Sequence, residues 1–170
     1  MSSNYLSHLN QVATFMKVPP GKLTLGINNV PMHSHEGKTH RGFLNILYSY
    51  LPHSTKNLAG ETSEEKAELY QWLEYSLIYV SQSPLHYLSE INEFLTTRTY
   101  FVAQTLTIAD VLLYYILYNV MENLTYLEKE KYINLSRWFD NMQQNPELRQ
   151  KNKLVDFNTN YLAAISPARH

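Results

Sequence analysis

The chain has 170 residues and no cysteine, and its 14 Lys/Arg and 15 Asp/Glu leave a formal charge of −1. That length allows one domain, or two small units sharing a core. Without cysteine there are no disulfides, thiolate metal ligands or Cys nucleophile, and the near-neutral total gives no reason to expect a polyanionic target. The charge is sorted along the chain, however. Residues 1–60 sum to +4, residues 61–125 to −7 and residues 126–170 to +2, a pattern suited to steering protein partners.

Leu6, Leu9, Ala13 and Met16 recur at helical spacing and predict an amphipathic helix over 3–17, stopped by Pro19-Pro20-Gly21. Leu23, Leu25 and Ile27 alternate as a short strand over 22–28, with a turn at Asn28-Asn29. Val30-Pro31-Met32 starts a further strand, Glu36-Gly37-Lys38 reads as a hairpin or turn, and Phe43–Leu51 is an apolar helix ended by Pro52. Residues 53–61 read as a linker.

The remainder reads as helical. Thr62 with Glu65 opens a helix to about residue 81 through a capping box. Ser83-Pro84 opens one to about Thr97, Thr107–Asp110 opens a buried one ending near Asn123, and Thr125 with Glu128 opens one to about Gln144. Asn145-Pro146 starts a short helix, and Val155–Ile165 is a last amphipathic stretch. The order is a small α/β unit followed by a larger helical one, α+β to mostly α. The apolar stretch 108–121 is too short to span a bilayer, and no membrane association is expected. With no h-region or early arginine, the expected location is the cytoplasm, and the sequons at Asn123 and Asn134 read as chance matches.

The sharpest local pattern is Leu106-Thr107-Ile108-Ala109-Asp110-Val111. Thr107 can cap the helix by accepting from the Asp110 N–H while the Asp110 carboxylate accepts from the Thr107 N–H. An acid opening so apolar a helix needs hydrogen bonds, and both residues are assigned a structural role.

A Val-Pro at a strand start followed by helices with this central T-x-A-D box resembles the glutathione-transferase fold. Gln71-Trp72-Leu73-Glu74-Tyr75, Glu128-Lys129-Glu130-Lys131-Tyr132 and Leu135-Ser136-Arg137-Trp138-Phe139 narrow the resemblance. They are similar to the elongation-factor-1-epsilon type of auxiliary component of the multi-tRNA-synthetase complex, a non-catalytic transferase-like family. The resemblance implies an abridged thioredoxin-like unit over 1–60 and an all-helical transferase C-terminal-like domain over 61–166. It also implies that Pro31 is a cis-proline. Ala103 departs from the glycine usual before the box.

Catalysis is not expected. Ser2, Ser3 and Tyr5 are the early hydroxyls, with no strand before them, and Thr39-His40 stands where transferases carry the Glu-Ser pair at a carboxylate-binding helix N-terminus. No cofactor is expected. His33, His35 and His40 with Glu36 could ligate zinc, but solvated loop histidines are the plainer reading. Lys129, Lys131, Arg137, Arg149, Lys151 and Lys153 are interleaved with acids, so no direct nucleic-acid binding is expected.

Two helices, 43–51 and 63–81, are apolar on more than one face, which calls for cover on more than one face. A protein this small can hardly bury both helices in one core, so part of this surface is expected to meet another chain, against the alternatives of a wet aromatic surface or full core burial; Tyr48 on the first, and Tyr70, Glu74 and Leu77 on the second, are the candidate partner-binding residues. In transferase-like folds these two helices form the dimer interface. Arg137 falls off the core stripe of Tyr132, Leu135, Phe139 and Met142, near Asp140 and Asn141, and these three make a second candidate surface. The resemblance implies methionyl-tRNA synthetase and glutamyl-prolyl-tRNA synthetase as partners, a homodimer when free, and a nuclear role in the DNA-damage response. The alternatives are a glutathione-dependent transferase and a subunit of the elongation-factor-1 complex.

Overall fold

In the computed structural model the described residues are 2–18, 21–35 and 37–157. Helix α1 (Ser2–Met16) leads into a three-stranded antiparallel meander of β1 (Lys22–Leu25), β2 (Pro31–His35) and β3 (Lys38–Arg41), in the order β1-β2-β3. Leu25 pairs with Pro31, and Met32 with Arg41. Both reversals are built from residues that tolerate positive φ. Asn28 and Asn29 sit at 59° and 58° in the first, and Gly37 at 78° in the second. Helix α2 (Phe43–Tyr50) closes the unit.

Pro31 corrects the sequence expectation: no peptide bond among the described residues is cis. The physical reason lies in the turn before it. The Gly26 N–H donates to the Val30 carbonyl at 2.8 Å, and the two asparagines complete the reversal. Val30 is already extended, at φ −73° and ψ 124°, when the chain enters β2, so nothing opposes the ordinary trans preference of about 0.5–1 kcal/mol. Pro31 remains structural. It is buried, and its carbonyl accepts the Gly42 N–H at 2.9 Å, which fixes the entry to α2.

Helices α3 (Ser63–Tyr75), α4 (Pro84–Phe94), α5 (Ile108–Asn123), α6 (Tyr126–Lys131), α7 (Ile133–Gln143) and α8 (Pro146–Arg149) follow. The helix expected over 63–81 gives way to a π turn at Ser76–Val80, where the hydroxyls of Ser76 and Ser81 bond the carbonyls of Trp72 and Leu77. The helix expected over 126–144 breaks at Tyr132, at φ −103° and ψ 49°. The freed N–H groups of Asn134 and Leu135 donate to the Asn92 side chain of α4, a cap supplied from another helix. Of the stretch 155–165, residues 155–157 are not helical and 158–165 lie outside the described residues. Val155 is clamped there by the Gln143 side chain, which accepts its N–H and donates to its carbonyl.

The core runs through both units. Helix α5 is buried on every side from Ile108 to Leu117, and both α1 and α3 pack against it. The segment expected as a linker is pinned: Leu58 is buried and its carbonyl accepts the Ile108 N–H. Lys56 and Lys17 both pair with Glu147, at 2.6 and 2.7 Å. Gln150 donates to the Gln11 carbonyl and the Tyr115 hydroxyl, tying the C-terminal side to α1. No helix among the described residues is long and apolar enough to cross a membrane.

Candidate partner-binding surfaces

The start of α5 holds the most heavily bonded carboxylate. Asp110 is fully buried, and its Oδ2 accepts from the N–H and Oγ1 of Thr107 at 3.0 and 2.9 Å. Its Oδ1 accepts from the Phe101 N–H at 3.0 Å and Trp138 Nε1 at 3.1 Å. The Thr107–Asp110 pairing was legible in the sequence; the Phe101 and Trp138 donors were not. Burial pushes the Asp110 carboxyl up to about 6 against the pull of these donors. Every one of its contacts faces inward, which makes it a structural hub.

The first exposed face joins α2, α3 and the π turn. The rings of Tyr48 and Tyr70 stack, with centroids 6.0 Å apart and planes 20° from parallel. Tyr70 is 44% exposed, and Tyr48, Glu74 and Leu77 are half-buried. The hydrogen bond from the Tyr70 hydroxyl to Glu74 raises that phenol's pKa, and burial raises that of Tyr48, followed by Tyr70 and Glu74. Both phenols therefore stay neutral, and the face offers aromatic area with one carboxylate. Tyr48, Tyr70 and Glu74, chosen from sequence on two helices, do come together.

The second face surrounds Arg137. Its Nη2 donates to the carbonyls of Leu95 and Arg98, at 2.7 and 3.1 Å, where the α4 segment ends. Arg137 thus ties down two carbonyls at the end of the α4 segment while its residue stays exposed. Asp140 accepts from the side-chain amides of Gln143 and Gln144, and Asn141 is exposed. A groove of about 180 Å³ beside them is lined by Arg137, Asp140, Tyr126, Phe157 and Ile133, the last 58% exposed. The sequence placed Arg137 off the core stripe; the carbonyls it holds, about 40 residues away, carried no local signal.

The transferase-type residues are arranged differently. The Tyr5 hydroxyl accepts from Gln82 Nε2 at 2.7 Å beside a polar cleft of about 440 Å³ between α1 and α5. Thr39 and His40 lie in β3, and Thr39 Oγ1 pairs with Ser34 Oγ. The side chains of Ser2 and Ser3, and all of Glu36, lie outside the described residues. Among the described residues no three or more His, Asp or Glu are arranged to hold a metal. His33 is buried against Tyr50, and burial lowers its pKa, followed by His35 and His40. Of the basic residues, Lys129 donates to the Asp156 carbonyl and Arg149 to the Gln143 carbonyl.

Comparison with known proteins places this architecture. The chain is 37% identical over 148 residues to eukaryotic translation elongation factor 1 epsilon-1 of Cricetulus griseus, covering 83% of this chain and 85% of that one. The chain belongs to the elongation factor 1 epsilon-1 family. The human member is 37% identical over 144 residues, covering 81% of this chain and 83% of its own. A second family, described as the nuclear-export cofactor Arc1p, matches residues 65–146. Among solved structures, the Bombyx mori glutathione transferase BmGSTD1 superposes with a TM-score of 0.68 at 15% identity, covering 84% of each chain. The GST-like domain of elongation factor 1-gamma from Saccharomyces cerevisiae does so with 0.65 at 12% identity, covering 91% of each. The chain thus has a glutathione-transferase-like fold, and the Arc1p match covers the residues Tyr70, Glu74 and Arg137.

Proposed function

We propose that the chain is a non-catalytic adaptor of the translation machinery, acting in the multi-tRNA-synthetase complex. The face of Tyr48, Tyr70, Glu74 and Leu77 pairs with the transferase-like domain of methionyl-tRNA synthetase. The face of Arg137, Asp140 and Asn141 meets the corresponding domain of glutamyl-prolyl-tRNA synthetase. The free chain pairs with a second copy through the first face, and the adaptor works in the cytoplasm with a further nuclear role in DNA-damage signalling.

The observation that carries this reading is the Tyr48–Tyr70 stack across α2 and α3, with Tyr70 exposed. Tyrosines supply large contact area at low entropic cost and are enriched at interface hot spots. Family membership and the Arc1p match give the translation context. The test is a pull-down from cytosol with the wild-type chain, Tyr70→Ala and Arg137→Ala. Co-purification of both synthetases with wild type, with one lost in each variant, is expected. Absence of any synthetase from the wild-type fraction overturns the reading. Calorimetry with glutathione should give no heat; conjugating activity would move the function to the transferases.

A further inference from the structure

Between α3 and α4 lies a groove of about 320 Å³ that neither proposed face uses. Trp72, Tyr75 and Phe94 line it together with Gln71 and the two carboxylates of Glu68 and Glu90. Trp72 meets Phe94 at 4.5 Å and Tyr75 at 5.3 Å between centroids, both edge to face, and all three residues are only half-buried. Glu68, Trp72 and Tyr75 share one helical stripe. Tyr70 lies two residues on, about 200° round the helix, so this groove and the Tyr48–Tyr70 face point different ways.

Two of the lining residues, Glu68 and Phe94, already hold a guanidinium supplied by the chain itself. The Arg98 Cζ lies 4.5 Å from the Phe94 centroid, and its Nη1 is 3.1 Å from Glu68 Oε1. Aromatic faces and a carboxylate together hold a cation there, the arrangement in which both attractions reinforce. The rest of the lining repeats the chemistry with Trp72, Tyr75 and the exposed Glu90. Glu90 makes no ion pair among the described residues. The segment 61–125 that builds this surface carries the chain's −7 charge.

We propose that the groove is a docking site for an arginine side chain of a partner protein, its guanidinium over Trp72 and Tyr75 and paired with Glu90, alongside Arg98. Arginine is specified over lysine because a planar guanidinium is weakly hydrated, stacks on rings and matches a carboxylate with two donors. The inference stands apart from the synthetase reading, since it rests on the groove's own residues.

The test is ¹H–¹⁵N NMR of the full chain titrated into the millimolar range with the peptide acetyl-Gly-Arg-Gly-Arg-Gly-amide. The chain has two tryptophans, and Trp138 is 1% exposed, so its indole N–H is an internal control. The Trp72 indole signal should shift saturably while that of Trp138 stays put. The citrulline counterpart of the peptide should give no shift, and Glu90→Gln should weaken binding about tenfold. Glu90 is exposed, so that substitution leaves folding intact, verified by an unchanged Trp138 signal. An unmoved Trp72 signal, equal binding of the citrulline or lysine peptide, or unchanged affinity in Glu90→Gln overturns the proposal.

Discussion

The indole N–H of Trp138 and the carboxylate of Asp110 meet at 3.1 Å, 28 residues apart in sequence and with both side chains out of water. The same carboxylate holds the Phe101 N–H and both Thr107 donors, so it joins α5, α7 and the loop between α4 and α5. Asp110→Ala should cost about 3 kcal/mol or more, because several buried donors lose their acceptor at once. Urea denaturation measures this. A loss below about 1 kcal/mol would mean that water replaces the carboxylate.

The protonation of Asp110 gives a second prediction. Its carboxyl is raised to about 6 by burial, above the unfolded value of 3.8, so the native state binds the proton more tightly. Stability from this group is therefore present below about pH 3.8 and is lost as pH rises through about 6, by about 3 kcal/mol in all. Glu147 behaves oppositely. Its hydrogen bonds to Lys17 and Lys56 lower it to about 2, so its contribution is present above about 4.5 and fades as pH falls toward 2. Subtracting the stability profile of Asp110→Asn from that of wild type between pH 4 and 7 should isolate the falling trend. Parallel profiles would disprove it.

His33 is a third case. Its ring is buried under Gly21 and against Tyr50, and burial first, then His35 and His40, hold its pKa below the ordinary value. The unfolded chain takes up this proton first, so acidification from about pH 6.5 should destabilise the N-terminal unit. A Cβ on Gly21 would sit 2.1 Å from His33 Nε2, so Gly21→Ala should destabilise by about 1–3 kcal/mol through overpacking. Histidine NMR titration and thermal melts check the two statements separately. A His33 midpoint at or above 6.5 would contradict the first.

Ala103 occupies the left-handed region at φ 54°, just before the box that opens α5. Its Cβ carries the steric cost of that conformation, about 1–2 kcal/mol. Ala103→Gly should therefore raise stability by about 1 kcal/mol, the glycine's greater unfolded-state entropy taking back the rest. A lowered melting temperature would contradict this.

Arg137 should show two separable effects. Losing its bonds to the Leu95 and Arg98 carbonyls in Arg137→Ala should cost about 1 kcal/mol, discounted for exposure. Arg137→Lys keeps the charge without the fork and should lose less stability. Denaturation midpoints of the two variants decide this, and equal losses would show that the guanidinium geometry is immaterial.

What could be read in advance was local. Thr62 with Glu65 and Thr125 with Glu128 signal their helix starts within four residues, and each pair forms the expected capping box. Asn28-Asn29 marked its turn. The break at Tyr132 was hidden, because the cap that permits it comes from Asn92, some 40 residues earlier. The cis expectation at Pro31 came from resemblance and failed where the local turn sufficed. On the candidate surfaces, residue type singled out Tyr48, Tyr70 and Arg137, but their contacts are set by tertiary packing. The pairing of Arg98 with Glu68 and Phe94 spans helices and left no periodic trace.

Arg98 sets its guanidinium against Glu68 and Phe94, which line the α3–α4 groove, and its carbonyl accepts from the Arg137 guanidinium. One residue thus touches members of both surfaces, through its side chain and through its backbone. Replacing Arg98 by alanine would remove the first of these contacts and leave the second, because the carbonyl belongs to the backbone.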